Sequence, residues 1–167
     1  MFIDRCRLVR ETLDNPAITT DIIVGFPGET EADFEATCRV SRDCGFSKIH
    51  IFPFSARKGT PAAEMGRMVS ATEKAARSER LAEIEQELRD EYFRSLIGRR
   101  LTVLVEGRSE GGTGWVGTSC RYAPVEVVGG EVLPGELVEV VARGVGDERV
   151  LCTKYEVPST KYEGIRS

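Results

Sequence analysis

The sequence predicts an α/β fold followed by a small β-barrel of the OB type, and three observations carry this. Helical and strand patterns alternate through residues 1–97, the order that βαβ units with parallel strands produce. Residues 98–155 instead hold five short β-rich runs divided by Gly and Pro, as a small closed barrel does. The change of style falls at Gly98, and 167 residues suffice for one domain or two small ones.

The elements follow in order. Phe2, Cys6, Val9 and Leu13 recur at spacings of four, three and four and form one helical face. Asn15 and Pro16 end that helix, because the residue before proline is pushed out of the helical region. From Ile18 to Phe26 the chain is nearly continuously apolar, interrupted by Thr19, Thr20 and Asp21. A strand covered on both faces reads this way. Thr30 is the expected N-cap of a second helix that ends at Gly45. KIHIFPF, residues 48–54, is a second strand. Ser70 and Glu73 have the spacing of a capping box, which opens a long helix. Leu81, Ile84, Leu88 and Tyr92 are its apolar stripe, and Gly98 is its stop. The opposite side, dense in Glu and Arg, is expected to face solvent. Five strands follow at 101–107, 114–120, 124–128, 136–144 and 148–154, and residues 156–167 form a tail.

Composition narrows the class. Apolar residues make up 41 % and charged residues 30 %, ordinary for a globular protein. The net charge is −4, shared as −3 over residues 1–97 and −1 over residues 98–167, and there is no polybasic run. Charge alone therefore gives no reason to expect nucleic acid. No stretch approaches the roughly 20 apolar residues of a membrane span. The start, MFIDRCRLVRE, mixes charges into its apolar residues and does not read as a secretory signal, so a cytoplasmic location without membrane is expected. Five cysteines stand without CxxC spacing beside one histidine, His50. They read as reduced structural thiols rather than a metal site, and His50 reads as structural.

The stretch TTDIIVGFPGETEADF, residues 19–34, is the most informative. Gly25 and Gly28 allow a tight turn at the carboxyl end of a parallel strand, the edge where α/β proteins bind ligands. A P-loop would need Lys and Ser/Thr after the last glycine, whereas Glu29 and Thr30 stand there and Glu29 would repel phosphate. The GxxG clamp of KH domains joins two helices, and this turn follows a strand. Two readings stay open: a turn that takes a neutral or cationic ligand with Glu29 as acceptor, and a purely structural strand–helix turn. FPFSARKGTPAAEM, residues 52–65, puts aromatics, a serine and an arginine at the neighbouring strand end, so the two loops look like one shared site.

TTDIIVGFPGETEADF, then GFSKIHIFPFSARKGTPAAEM, then a long helix and a small β-domain, together resemble the C-terminal part of the radical-SAM methylthiotransferases. The form FPFSARKGTPAA is closest to the tRNA enzymes that add a methylthio group to threonylcarbamoyladenosine beside the anticodon. The isopentenyladenosine-type tRNA enzymes match more loosely, and the ribosomal-protein-modifying branch is third. The resemblance implies the C-terminal part of a partial, TIM-like radical-SAM barrel over residues 1–97 and a TRAM domain over 98–155. It implies S-adenosylmethionine and [4Fe–4S] clusters as cofactors of the complete enzyme and a tRNA anticodon stem-loop as partner. Gly25, Phe26, Gly28 and Glu29 would contact the adenosyl group, with Phe52, Phe54 and Ser55 near the adenine. Arg57 would reach the substrate or the methionine carboxylate. In the β-domain, Trp115, Arg121 and Tyr122 are the expected RNA contacts, by stacking and by phosphate pairing.

The family's cluster motif, CxxxCxxC, is absent from these residues. No catalytic and no metal-ligating residue is therefore expected here, and the chain by itself should not perform the reaction. It reads as a fragment, a truncated gene model or a degenerate copy that lacks the N-terminal portion of the enzyme. Two parallel strands are too few for a stable sheet, and the strand carrying Ile22 and Ile23 should expose an edge that a missing neighbour would cover. The alternative function is a stand-alone RNA-binding module in which the small barrel does the work.

Overall fold

The computed structural model describes residues 1–111, 114–146 and 148–155, so the expected tail at 156–167 lies outside the described residues. The chain divides into two units, Met1–Ser95 and Leu96–Ser167.

The first unit contains α1 (Phe2–Thr12), β1 (Thr19–Val24), α2 (Glu31–Cys44), β2 (Lys48–Pro53), α3 (Pro61–Glu64) and α4 (Ala71–Ser95). The strands β1 and β2 pair in parallel from Thr19 with Lys48 to Val24 with Pro53, and α2 is the crossover. Local chemistry sets the helix ends. Thr30 Oγ1 accepts from Asp33 N at 3.2 Å while the Asp33 carboxylate accepts from Thr30 N at 3.0 Å. These bonds to Thr30 hold the Asp33 carboxyl below its usual range. Gly45 closes α2 in the left-handed conformation with φ 57°. Ser70 and Glu73 make the second capping box, and Ser70 lowers the Glu73 carboxyl in the same way.

The core packs Val24 and Ile49 of the sheet against Phe34 and Cys38 of α2 and Leu81 and Ile84 of α4. Burial, with a hydrogen bond to Cys6, pushes the Cys44 thiol up to about 11. This packing corrects three expectations. The helices cover one face of the sheet, where Ile22, Val24, Ile49 and Ile51 lie. Asp21, Ile23, His50 and Phe52 on the other face are exposed. The continuous apolar run therefore does not mark a strand buried on both faces, because α2 and α4 serve the same core. Helix α1 forms as expected, but of its apolar face Cys6 alone is buried, while Phe2, Val9 and Leu13 stay exposed. The polar side of α4 is not wholly solvated either: Arg77 and Glu85 are buried. Each has an ion partner on the sheet side, Glu29 for Arg77 at 2.7 Å and Lys48 for Glu85 at 3.0 Å. The short α3 opens on Pro61, whose missing N–H would be unpaired at a helix start in any case.

The second unit contains β3 (Arg100–Arg108), β4 (Gly114–Ser119), β5 (Pro124–Val128), β6 (Leu137–Gly146) and β7 (Arg149–Lys154). They close into a barrel in the order β3-β4-β5-β7-β6, with β6 returning to β3 and β5 parallel to β7. That is a five-stranded Greek-key barrel of the OB kind. Leu101, Val103, Val105, Val125, Val127 and Val140 alternate inward and are fully buried. Burial in this interior pushes the Cys152 thiol up to about 12. Gly98, read as the stop of α4, lies three positions past its end at Ser95 and donates to the Ala142 carbonyl at 2.9 Å. Among the described residues no helix is long and apolar enough to cross a membrane.

Candidate functional site at the strand ends

The carboxyl ends of β1 and β2 lie side by side, since Phe54 N donates to the Val24 carbonyl at 2.8 Å just past the last register pair. The chain leaves β1 through Gly25 and Gly28, both left-handed at φ 72° and 85°. Between them the turn closes on itself: Glu29 N donates to the Phe26 carbonyl at 2.9 Å. Gly28 N donates to the Arg67 carbonyl at 2.9 Å. A side chain at 28 would meet no atom within 4 Å, so the backbone angle alone calls for glycine there.

The Glu29 carboxylate points into the protein. Its Oε2 accepts from Gly25 N at 2.7 Å and from Arg77 Nη1 at 2.7 Å. Arg77 also donates to the Glu29 carbonyl at 3.3 Å and lies over the Phe34 ring. Lys74, one turn earlier on α4, donates from Nζ to the Phe54 carbonyl at 3.0 Å. Its methylenes cover Gly25, where a Cβ would stand 2.2 Å from Lys74 Cγ. Sequence reasoning missed Lys74 and Arg77. Their signal was faint: two cations at i and i+3 on a helix dense in charge, opposite a turn that carries an acid.

The turn presents an apolar surface. Phe26 and Phe54 meet edge to face with centroids 5.2 Å apart. Beside them, Ile23 and Phe52 are register partners on the uncovered face, 54 % and 51 % exposed. Ser55 and Arg57 follow in the exposed loop, where the Arg57 carbonyl accepts from Thr60. His50, read as structural, stands exposed beside Asp21 on the same sheet face. The seven residues expected around the adenosyl group and its adenine, and Arg57, expected at the substrate or the methionine carboxylate, thus lie on two adjacent strand ends and the loops that follow them. Gly25→Ala is expected to destabilise this unit by about 3 kcal/mol, combining a disfavoured backbone angle with a steric clash. A urea unfolding midpoint of the full chain, followed by a probe in the α/β unit, checks it, and an unchanged midpoint would mean the turn can reshape freely.

The three residues expected at RNA do not form one patch. Trp115 is the second residue of β4, 8 % exposed, with the Arg108 guanidinium 3.8 Å over its ring. Arg121 and Tyr122 lie in the turn past the other end of β4. The four residue steps from Trp115 to Ser119 alone span about 13 Å. Tyr122 is 81 % exposed at a left-handed φ of 55°, held by its amide to the Ser119 carbonyl at 2.9 Å. Arg108 is the contact the sequence hid, since its pairing with Trp115 arises only from the β3–β4 register. Arg100 makes a similar stack on Tyr155 at 3.7 Å, at the other end of β3.

No protein-family model matches the chain. It is 41 % identical over 146 residues to the tRNA-2-methylthio-N(6)-dimethylallyladenosine synthase of Saccharopolyspora erythraea, covering 82 % of this chain and 30 % of the relative. It is 47 % identical over 116 residues to the enzyme of the same name from Frankia casuarinae, covering 68 % and 22 %. A ribosomal protein uS12 methylthiotransferase RimO from an Anaeromyxobacter species is 41 % identical over 139 residues, covering 79 % and 29 %. The chain spans about 30 % of the length of the first of these relatives. These relatives are radical-SAM methylthiotransferases, and the chain is homologous to their C-terminal part.

Proposed function

We propose that this chain supplies the adenosyl-contacting strand ends and the RNA-contacting barrel of a radical-SAM methylthiotransferase. Its substrate would be an N6-modified adenosine next to the tRNA anticodon. The observation that carries the reading is the joined end of β1 and β2, where a glycine turn and exposed aromatics form one apolar shelf in a chain whose relatives are methylthiotransferases. The names of the relatives favour a dimethylallyl-type adenosine. The form FPFSARKGTPAA keeps threonylcarbamoyladenosine as the second reading. In this reading residues 98–155 are a TRAM domain, and residues 1–97 complete a barrel with strands from outside these 167 residues.

The residues present fit S-adenosylmethionine in part. Phe26, Phe54 and the Ile23–Phe52 pair offer apolar faces to a flat adenine ring, and Arg57 offers an exposed cation to a carboxylate. When bound, S-adenosylmethionine would supply the adenosyl radical that activates the nucleoside. Glu29 serves by holding the turn, since Gly25 N and Arg77 occupy its inward oxygen. The cysteines do not fit an iron–sulfur cluster: Cys6, Cys38 and Cys44 are buried in the helical core, and Cys120 and Cys152 belong to the barrel. No reductive step is assigned to these residues.

On the barrel, Trp115, Arg121 and Tyr122 would meet the anticodon stem-loop, with Arg108 beside Trp115. The test is a chimaera in which these residues replace the matching segment of the Saccharopolyspora erythraea enzyme. Expressed in a host lacking its own enzyme, it should restore the methylthio group on tRNA, read by mass spectrometry of nucleosides. A folded chimaera that leaves both dimethylallyladenosine and threonylcarbamoyladenosine unmodified would sink the proposal.

A further inference from the structure

We infer that Lys74 and Arg77 are positioning residues of the adenosyl site, acting from α4 through the two strand-end loops; this rests on the reading above. The two loops belong to different strands, and their apolar shelf exists only while both hold their places. One helical turn of α4 grips both. Arg77 is buried, bonded to the side chain and the carbonyl of Glu29, and Glu29 in turn holds Gly25 N. Lys74 reaches past Gly25 to the carbonyl of Phe54 at 3.0 Å. The grip is therefore a chain from α4 to Gly25 on one side and to Phe54 on the other, and Phe26 and Phe54 are the rings that meet between them.

A role in stability alone would not require this arrangement. A buried pair such as Arg77 with Glu29 seldom gains net stability over apolar packing of the same volume. Lys74 spends a flexible, charged side chain on one backbone carbonyl, where an apolar residue would cover Gly25 equally well. What the two cations achieve is a fixed distance between the loops. Preorganised loops bind more tightly because less order is lost on binding. Both side chains act through the backbone of the two loops, Arg77 through Glu29 to Gly25 and Lys74 on Phe54.

The test uses the chimaera with the Saccharopolyspora erythraea enzyme, in which these residues complete a barrel, and S-adenosylhomocysteine, a stable carrier of the adenosyl group, with affinity read by ligand-observed NMR and thermal midpoint read in parallel. Lys74→Met keeps the methylenes over Gly25 and removes the ammonium. It is expected to weaken binding at least fivefold with the midpoint almost unmoved. Arg77→Met should weaken binding more, and Arg77→Lys should recover part of the loss. Arg80→Met removes ion pairs to Glu35 and to Glu31, which Arg77 shares, but leaves every bond to Gly25, Glu29 and Phe54 in place, so it should bind nearly as the unsubstituted protein does. Native affinity in Lys74→Met, or a loss in Arg80→Met equal to that in Lys74→Met, would overturn the inference alone. A folded, unsubstituted chimaera that takes up no S-adenosylhomocysteine would overturn the adenosyl reading and this role with it. If Arg77→Met does not fold, Lys74→Met decides.

Discussion

Gly117→Ala is expected to unfold the barrel at room temperature or leave it barely stable. Gly117 lies on β4 opposite Val105, next to the bulge between Val105 and Gly107 of β3. A methyl group there would stand 2.1 Å from the Leu104 carbonyl oxygen and 3.0 Å from Val103 Cγ1. The first obstacle is backbone, so no rotamer change relieves it. Relief requires β3 and β4 to part, and those strands share one of the seams that close the barrel. Overpacking usually costs about 1–3 kcal/mol, and a clash with backbone belongs at or above the upper end. A barrel this small starts with little to lose. Hydrogen exchange at Val140 of β6 and at Val150 and Cys152 of β7, more than 20 residues from the substitution and on strands that do not pair with β4, is expected to accelerate together. Native-like protection at those amides would show that the seam can widen at low cost.

Phe34→Ala should have the largest effect on the α/β unit, about 3–5 kcal/mol. Phe34 is 1 % exposed and joins α2 to α4 in the core. The guanidinium groups of Arg77 and Arg80 lie over its ring at 5.6 and 5.5 Å from the centroid. Removing the ring thus leaves a cavity and takes away the platform on which Arg77 reaches Glu29. For a unit of this size the loss corresponds to a drop in melting temperature of about 15 °C or more. Phe34→Leu restores most of the packing but no ring face, and is expected to cost about 1.5 kcal/mol. A melting temperature for Phe34→Ala within a few degrees of the native chain would show that the core can collapse around the gap.

Much of the local structure was legible because it depends on neighbours in sequence. Thr30, the Ser70 and Glu73 pair, Gly45, and the stripe from Leu81 to Tyr92 all do what local sequence predicts. Local hydrogen bonds and helical periodicity need no distant partner. The misreadings share the opposite cause. The run from Ile18 to Phe26 carries enough apolar residues for two covered faces, but which face is covered depends on where α2 and α4 pack. Arg77 and Glu85 looked like surface charges because nothing near them in sequence announces Glu29 or Lys48 as a partner. At the site, sequence pattern located the two strand-end loops and their residues. It did not reveal that Glu29 faces inward, nor that Lys74 and Arg77 connect the loops.

By itself, then, the sequence determined the alternation of helices and strands, the helix caps, the glycine turn after β1 and the five runs that become the barrel. These follow from backbone sterics, capping and side-chain period. Only the tertiary structure decided the strand order that closes the barrel, the uncovered sheet face that bears Asp21 and His50, the stack of Arg108 on Trp115, and the grip of α4 on the turn. Each of these joins residues far apart in the chain, and their meeting is set by packing and strand register, which no local pattern encodes.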